Sequence, residues 1–145
     1  MASNRIQTNL TYENGDTYIG QAIDGVRDGN GVYTSVGVSL SGVWQNNHLN
    51  GNGVMQTPNF RYEGGFKNSL RNGFGKEVHK DGKIYEGEFL NGVKHGKMKL
   101  TLPNGAFIEC NYIHGVGEGD GIMTMTDGEK VKVKLSGGKM WFDKT

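Results

Sequence analysis

Glycine returns in this chain on a fixed beat, and that beat leaves few folds open. Gly20, Gly42, Gly64 and Gly87 are separated by 22, 22 and 23 residues, and two further steps of 23 reach Cys110 and Val133. Two places before each stand Tyr18, Leu40, Tyr62, Tyr85, Ile108 and Val131. Two places after stand Ala22, Trp44, Phe66, Phe89, Tyr112 and Leu135. A second series keeps the same time as pairs: Gly29/Gly31, Gly51/Gly53, Gly73/Gly75, Gly96/Met98 and Gly119/Gly121. A third runs Gly15, Gly37, Asn59, Gly82, Gly105 and Gly128, with asparagine, which tolerates φ > 0, at its one exception. Three series with one period mark an internal repeat.

Each unit reads as a β-hairpin. In YEGEF (85–89) the residues alternate, so Tyr85, Gly87 and Phe89 share one face of a strand and Glu86 and Glu88 the other. GKMKLTL (96–102) alternates in the same way, with Met98, Leu100 and Leu102 opposite Lys97, Lys99 and Thr101. LNGVKH (90–95) is a hairpin-length loop, and PNGA (103–106) and TDGE (126–129) carry the Asn-Gly and Asp-Gly turns that join tight antiparallel strands. The expected fold is all-β: one elongated single-sheet solenoid or meander of about six tandem hairpin repeats, with about twelve strands and no helix. It forms a single domain over 1–145. The repeats fall near 18–39, 40–61, 62–84, 85–107 and 108–130, with a partial unit at 131–135. A half-repeat at 7–17 precedes them and a tail at 136–145 follows. The tail carries Trp141 and Phe142 after two glycines, and is expected to cap the sheet by folding back on it, or to dock on another chain.

Composition narrows the function. The net charge of +1 gives no pull toward nucleic acid. Cys110 is the only cysteine, which fits a reducing compartment. MASNRIQTNL has no apolar signal core, and no stretch approaches the roughly 20 apolar residues of a membrane span. A cytoplasmic, unsecreted protein is expected.

YEGGF (62–66) followed by NGFG (72–75), and YEGEF (85–89) followed by NGVKHG (91–96), resemble the MORN repeat (membrane occupation and recognition nexus). The resemblance covers roughly 15–135. It departs from the pattern at Leu40, Ala22, Met98 and Cys110 and in VKVKL (131–135). It implies an aromatic groove along a twisted sheet and a binding or scaffolding role rather than catalysis. It also places such chains in cytoskeletal, ciliary or membrane-associated assemblies.

The rings Tyr18, Trp44, Tyr62, Phe66, Tyr85, Phe89 and Tyr112 share the repeated face. They are candidates both for the core and for a groove that takes a partner's amphipathic helix or extended segment. Gly20, Gly42, Gly64 and Gly87 make room for rings to lie over backbone. Lys130, Lys132 and Lys134 line one side of what should be the last strand. There they protect an edge, or bind anionic phospholipid or an acidic partner. An open edge also permits a homodimer through the terminal repeat. Glu77 and His79 share a face at i, i+2 and are expected to be a solvated pair, with a polar contact point in the groove as the alternative. Cys110 stands at a glycine position in a strand, so a nucleophile with His114 is not expected. His48, His79, His95 and His114 lie in separate units, and no metal site or cofactor is expected. The Gly-x-Gly pairs precede no helix and cradle no phosphate.

Overall fold

Alternation of small and large residues along every segment produces a ladder of strands. The structure, a computed structural model, describes residues 4–143, so the ends of the expected domain at 1–3 and of the tail at 144–145 lie outside the described residues. Thirteen strands form one antiparallel sheet in sequence order. They are β1 (Ile6–Thr11), β2 (Thr17–Ile23), β3 (Val26–Ser35), β4 (Val38–Gln45), β5 (His48–Gln56), β6 (Phe60–Lys67) and β7 (Leu70–His79), then β8 (Ile84–Leu90), β9 (Val93–Thr101), β10 (Phe107–Ile113), β11 (Val116–Thr124), β12 (Lys130–Ser136) and β13 (Lys139–Phe142). No helix is present among the described residues.

The connections within repeats are tighter than LNGVKH suggested. Leu90 pairs with Val93, so the loop is Asn91-Gly92 alone. Asp24-Gly25, Asn46-Asn47, Asn68-Ser69, Asn91-Gly92, His114-Gly115 and Gly137-Gly138 all have positive φ at both places. That is the type I′ geometry that matches strand twist. Between repeats, the side chains of Asn14, Asp81, Asn104 and Asp127 each accept a hydrogen bond from the backbone N–H two residues on. These Asx turns explain why an amide or carboxylate precedes the turn glycine.

A further ladder ties one hairpin to the next. Asp28, Asn50, Asn72, His95 and Glu118 stand at one place in successive repeats. Their side chains accept hydrogen bonds from the backbone N–H groups of Asn46, Asn68, Asn91, His114 and Gly137 in the following loop. Beside them, the N–H groups of Asn47, Ser69, Gly92 and Gly115 donate to the carbonyls of Arg27, Leu49, Arg71 and Lys94.

The glycines run across the sheet as a paired row: Gly20–Gly31–Gly42–Gly53–Gly64–Gly75–Gly87. At two places in the row a tyrosine ring lies over both a glycine of its own strand and the glycine paired with it on the next. Tyr62 folds back along β6, donates its hydroxyl to the Gly65 carbonyl at 2.9 Å, and lies over Gly64 and Gly75. A Cβ at Gly75 would sit 2.3 Å from that ring. Tyr18 does the same on β2, with its hydroxyl on the Gln21 carbonyl at 2.7 Å. One repeat after Tyr62, Met98 replaces the cross-strand glycine and fills the space itself, and Tyr85 is left half-buried.

The C-terminal tail extends the sheet. Residues Lys139–Phe142 pair with β12 as a thirteenth strand, and Trp141 and Phe142 stay 52% and 53% exposed instead of folding back as a cap. Lys132 and Lys134 therefore do not lie on a terminal edge, because β13 and the Asp143 N–H pair with that part of β12, whereas Lys130 pairs with β11 alone among the described residues.

Gly75→Ala is expected to cost about 1–3 kcal/mol in urea unfolding, the range for overfilled cores. Tyr62→Leu/Gly75→Ala should lose less than the sum of its single variants, because the ring and the new methyl compete for one space.

Candidate functional site

Strand alternation sorts the candidate residues onto two faces, and the structure gives those faces opposite characters. On the repeated face the rings form a thin core. Tyr18, Trp44, Tyr62, Phe66 and Phe89 are between 0% and 4% exposed. Tyr62 meets Phe66 and Phe89 edge-on at 5.3 and 4.9 Å, and Tyr18 meets Trp44 edge-on at 5.7 Å. These five are packed against backbone and one another and present no surface to a partner. Tyr85 and Tyr112 remain half-buried and stand edge-on to each other at 6.4 Å. Burial raises the Tyr62 hydroxyl to about 12 and pushes those of Tyr85 and Tyr112 upward as well.

Cationic side chains cover the rings. Arg27, Arg71 and Lys94 share one repeat place, with Leu49 as its apolar form. The Arg27 guanidinium lies 4.7 Å from the centre of Tyr33 and 5.1 Å from that of Trp44, and donates to the Tyr12 hydroxyl at 2.8 Å. Arg71 sits 5.3 Å from Phe60 and Phe89 and 5.5 Å from Tyr62. The Lys94 ammonium lies 4.1 Å from the Tyr85 ring. Such contacts hold a cation over aromatic surface and exclude water from it.

Glu77 is the anion beneath this cover. It is 2% exposed, against the expectation of a solvated pair with His79. Arg71 donates to its Oε2 at 2.5 Å, and Oε1 takes the Lys94 ammonium at 3.1 Å together with the His79 ring. Burial alone would raise this carboxyl. The His79 hydrogen bond and the charges of Lys94 and Arg71 outweigh that and hold it below its ordinary value. The His79 ring is itself held between Phe60 and Tyr85, at 5.3 and 5.1 Å. The group is a closed ionic plug in the core.

The open space lies on the other face. A trough of about 780 Å³ crosses β7 to β12. Its walls carry Phe74, Glu86, Glu88, Lys97, Lys99 and Glu109, with Asp120, Ile122 and Lys132 farther along. Phe74 is 63% exposed. A shallower hollow of about 540 Å³ lies at Ser41, Asn52, Val54 and Glu63 on the same face, over β4 to β6. Charge alternates across the strands in the paired row Glu63–Lys76–Glu86–Lys99–Glu109. Toward β2 the row becomes apolar, with Ile19 and Val32 paired and exposed.

Of the three lysines on β12, Lys132 and Lys134 join this trough, and Lys134 is paired with Asp120 at 2.6 Å. They do not form a purely basic strip. Cys110 is half-buried in the glycine row, and burial pushes its thiol upward, away from the reactive thiolate. His95 and His114 are closer than their separate units implied, with ring centres 5.5 Å apart in adjacent loops. No group of three metal-donor side chains occurs among the described residues. No helix among them is long and apolar enough to cross a membrane.

Comparison with known families gives one match. The sequence model described as the MORN repeat matches residues 18–36, 41–60, 62–84 and 85–107, more than half of the chain. No curated protein matches the chain.

Glu77→Met removes the anion that Arg71 and Lys94 were buried with, and should cost about 3–5 kcal/mol. Arg71→Leu/Glu77→Met recreates the Leu49 and Met55 pair found one repeat earlier, and should cost less than Glu77→Met alone in the same denaturation assay. The depressed Glu77 carboxyl also sets a pH dependence. Its stabilisation is complete above the unfolded value of about 4.3 and is lost as pH falls through the lower folded value. The double variant should lose less stability between about pH 5 and pH 3 than the natural chain.

Proposed function

The chain belongs to the MORN repeat family, and on that premise we propose that it is a non-enzymatic binding scaffold which holds a protein segment in the trough over β7 to β12. The trough carries this reading. It brings exposed apolar surface at Phe74 and Ile122 together with charged side chains of both signs, the mixture that gives a docking site affinity and register. The aromatic face offers less, because most of its rings are core. Among the described residues the acid and base that come together are Glu77 and His79, and they are locked in the ionic plug. Membrane-surface binding through Lys130, Lys132 and Lys134 has weaker support, because Glu109 and Asp120 stand on the same face and Asp120 takes up Lys134. A place in a cytoskeletal or ciliary assembly is part of the same proposal and rests on the family alone.

Photo-crosslinking amino acids at 74 and 122 should capture a neighbouring protein in native lysate, and the same label at 85 should capture far less. Phe74→Ala should weaken that capture about tenfold or more, with an unchanged circular dichroism spectrum. Capture confined to 85, or to the tail at 141 and 142, would place the docking surface elsewhere. Salt-sensitive sedimentation with anionic vesicles, lost in Lys130→Glu/Lys132→Glu, would favour the membrane reading instead.

A further inference from the structure

The charged trough wall is complementary to itself. Across β7, β8, β9 and β10 one row reads Lys76, Glu86, Lys99, Glu109, each directly paired with the next. Reversing the strand order turns this row into Glu, Lys, Glu, Lys. A two-fold axis parallel to the strands, between β8 and β9, makes that reversal when two copies meet face to face. Lys76 then lies over Glu109 of a second copy, and Glu86 over its Lys99.

The flanking rows obey the same axis. Toward the hairpin loops, Glu88 on β8 lies over the second copy's Lys97 on β9, and Phe74 over its Asn111. Toward the other end, Val78 lies over Phe107, and Ile84 over Thr101. The Glu88 and Lys97 row distinguishes this axis from its neighbours. An axis one strand earlier, between β7 and β8, would put Glu88 over Phe74, and one strand later, between β9 and β10, would put it over Glu118. Within the chain these charges remain available. Among the described residues, none of Lys76, Glu86, Glu88, Lys97 and Glu109 closes an ion pair, and the Lys99 ammonium rests 4.2 Å from the Phe107 ring.

We infer that the occupant of the trough is a second copy of this chain, seated face to face about a two-fold axis between β8 and β9. The inference rests on the trough being a docking surface and names what docks there. Aligned packing of two twisted sheets permits the geometry, and an isologous interface requires such self-complementarity. Six strands at ~4.8 Å and about seven residues in length cover on the order of 700 Å² per copy, near the lower end for specific interfaces. With charges at its centre, the dimer is weak and sensitive to salt.

Sedimentation velocity on the full chain tests this. At about 100 µM chain and low salt the natural protein should sediment as a dimer, and about 0.5 M salt should return it to monomer. Two double variants separate the interface from an ordinary solvated charge ladder. Lys76→Glu/Glu86→Lys sets like charges against each other across the axis, as well as beside Glu63 and Lys99 within the chain, and should be monomeric. Lys76→Glu/Glu109→Lys sets like charges beside each other within the chain but keeps opposite charges across the axis, and should dimerise. A monomeric natural chain at low salt, or the opposite behaviour of the two variants, overturns the inference. If the chain is monomeric while labels at 74 and 122 capture another protein, the docking surface stands and only its occupant is wrong. If neither is seen, both readings fall.

Discussion

A sheet with no second layer must make its core out of its own side chains and backbone, and that need governs this protein. Tyr62 and Tyr18 meet it by lying flat along their own strands, with the hydroxyl returned to a carbonyl three residues on. The ring then covers backbone instead of a facing layer, which is possible only where the strand and its neighbour have no Cβ. Gly64 and Gly75 under Tyr62, and Gly20 and Gly31 under Tyr18, are consequences of that one contact. The abundance of glycine is thus a packing requirement on a pleated surface as well as a matter of turns.

The repeat solves the problem of covering its rings in two ways. Leu49 with Met55 does so with aliphatic atoms. Arg71 with Glu77 does so with ions, reinforced by Lys94 and His79. Ionic cover adds direction: each guanidinium or ammonium is held both by a ring and by an acceptor from a neighbouring hairpin, as Arg71 is by the Gly92 carbonyl. Buried ion pairs seldom add much stability over a hydrophobic alternative, but they penalise slipped registers. Once the repeated face is closed in this way, the exposed charge and the open trough are left to the opposite face. There, from β6 to β10, the residues that alternate with the packed ones carry charge in the row Glu63–Lys76–Glu86–Lys99–Glu109.

The fold was legible because the period appears in three independent series, and each follows from local chemistry: turn glycines, strand alternation and rings beside glycine. The site was less legible. Trp44, Tyr62 and Phe89 looked like groove residues because a sequence shows which face a side chain takes, not whether a cation closes over it. Arg27, Arg71 and Lys94 share a repeat place, but their common role depends on reaching rings of other strands. Asp28, Asn50, Asn72, His95 and Glu118 gave a signal that could have been read, since each is a hydrogen-bond acceptor just before a Gly-x-Gly or Gly-x-Met triplet. Glu77 looked exposed because the two cations and the His79 ring around it come from β7 and β9. The tail at 139–142 is announced only by the turn pair Gly137-Gly138, in step with Asn91-Gly92 and His114-Gly115, and its place follows from pairing with β12.

The replacement of glycine by Met98 and Cys110 has a consequence for motion. Up to Met98 the buried residues form one ring-rich cluster, and beyond it Ala106, Ile108, Met123 and Val133 form a separate aliphatic one. The second cluster buries no aromatic ring, so its hairpins have less to lose on opening. Amide protons of β10 to β12 can therefore exchange through an opening that leaves β2 to β8 closed. The far wall of the trough belongs to that looser part. A partner held in the trough would bridge the two clusters and join them into one cooperative unit.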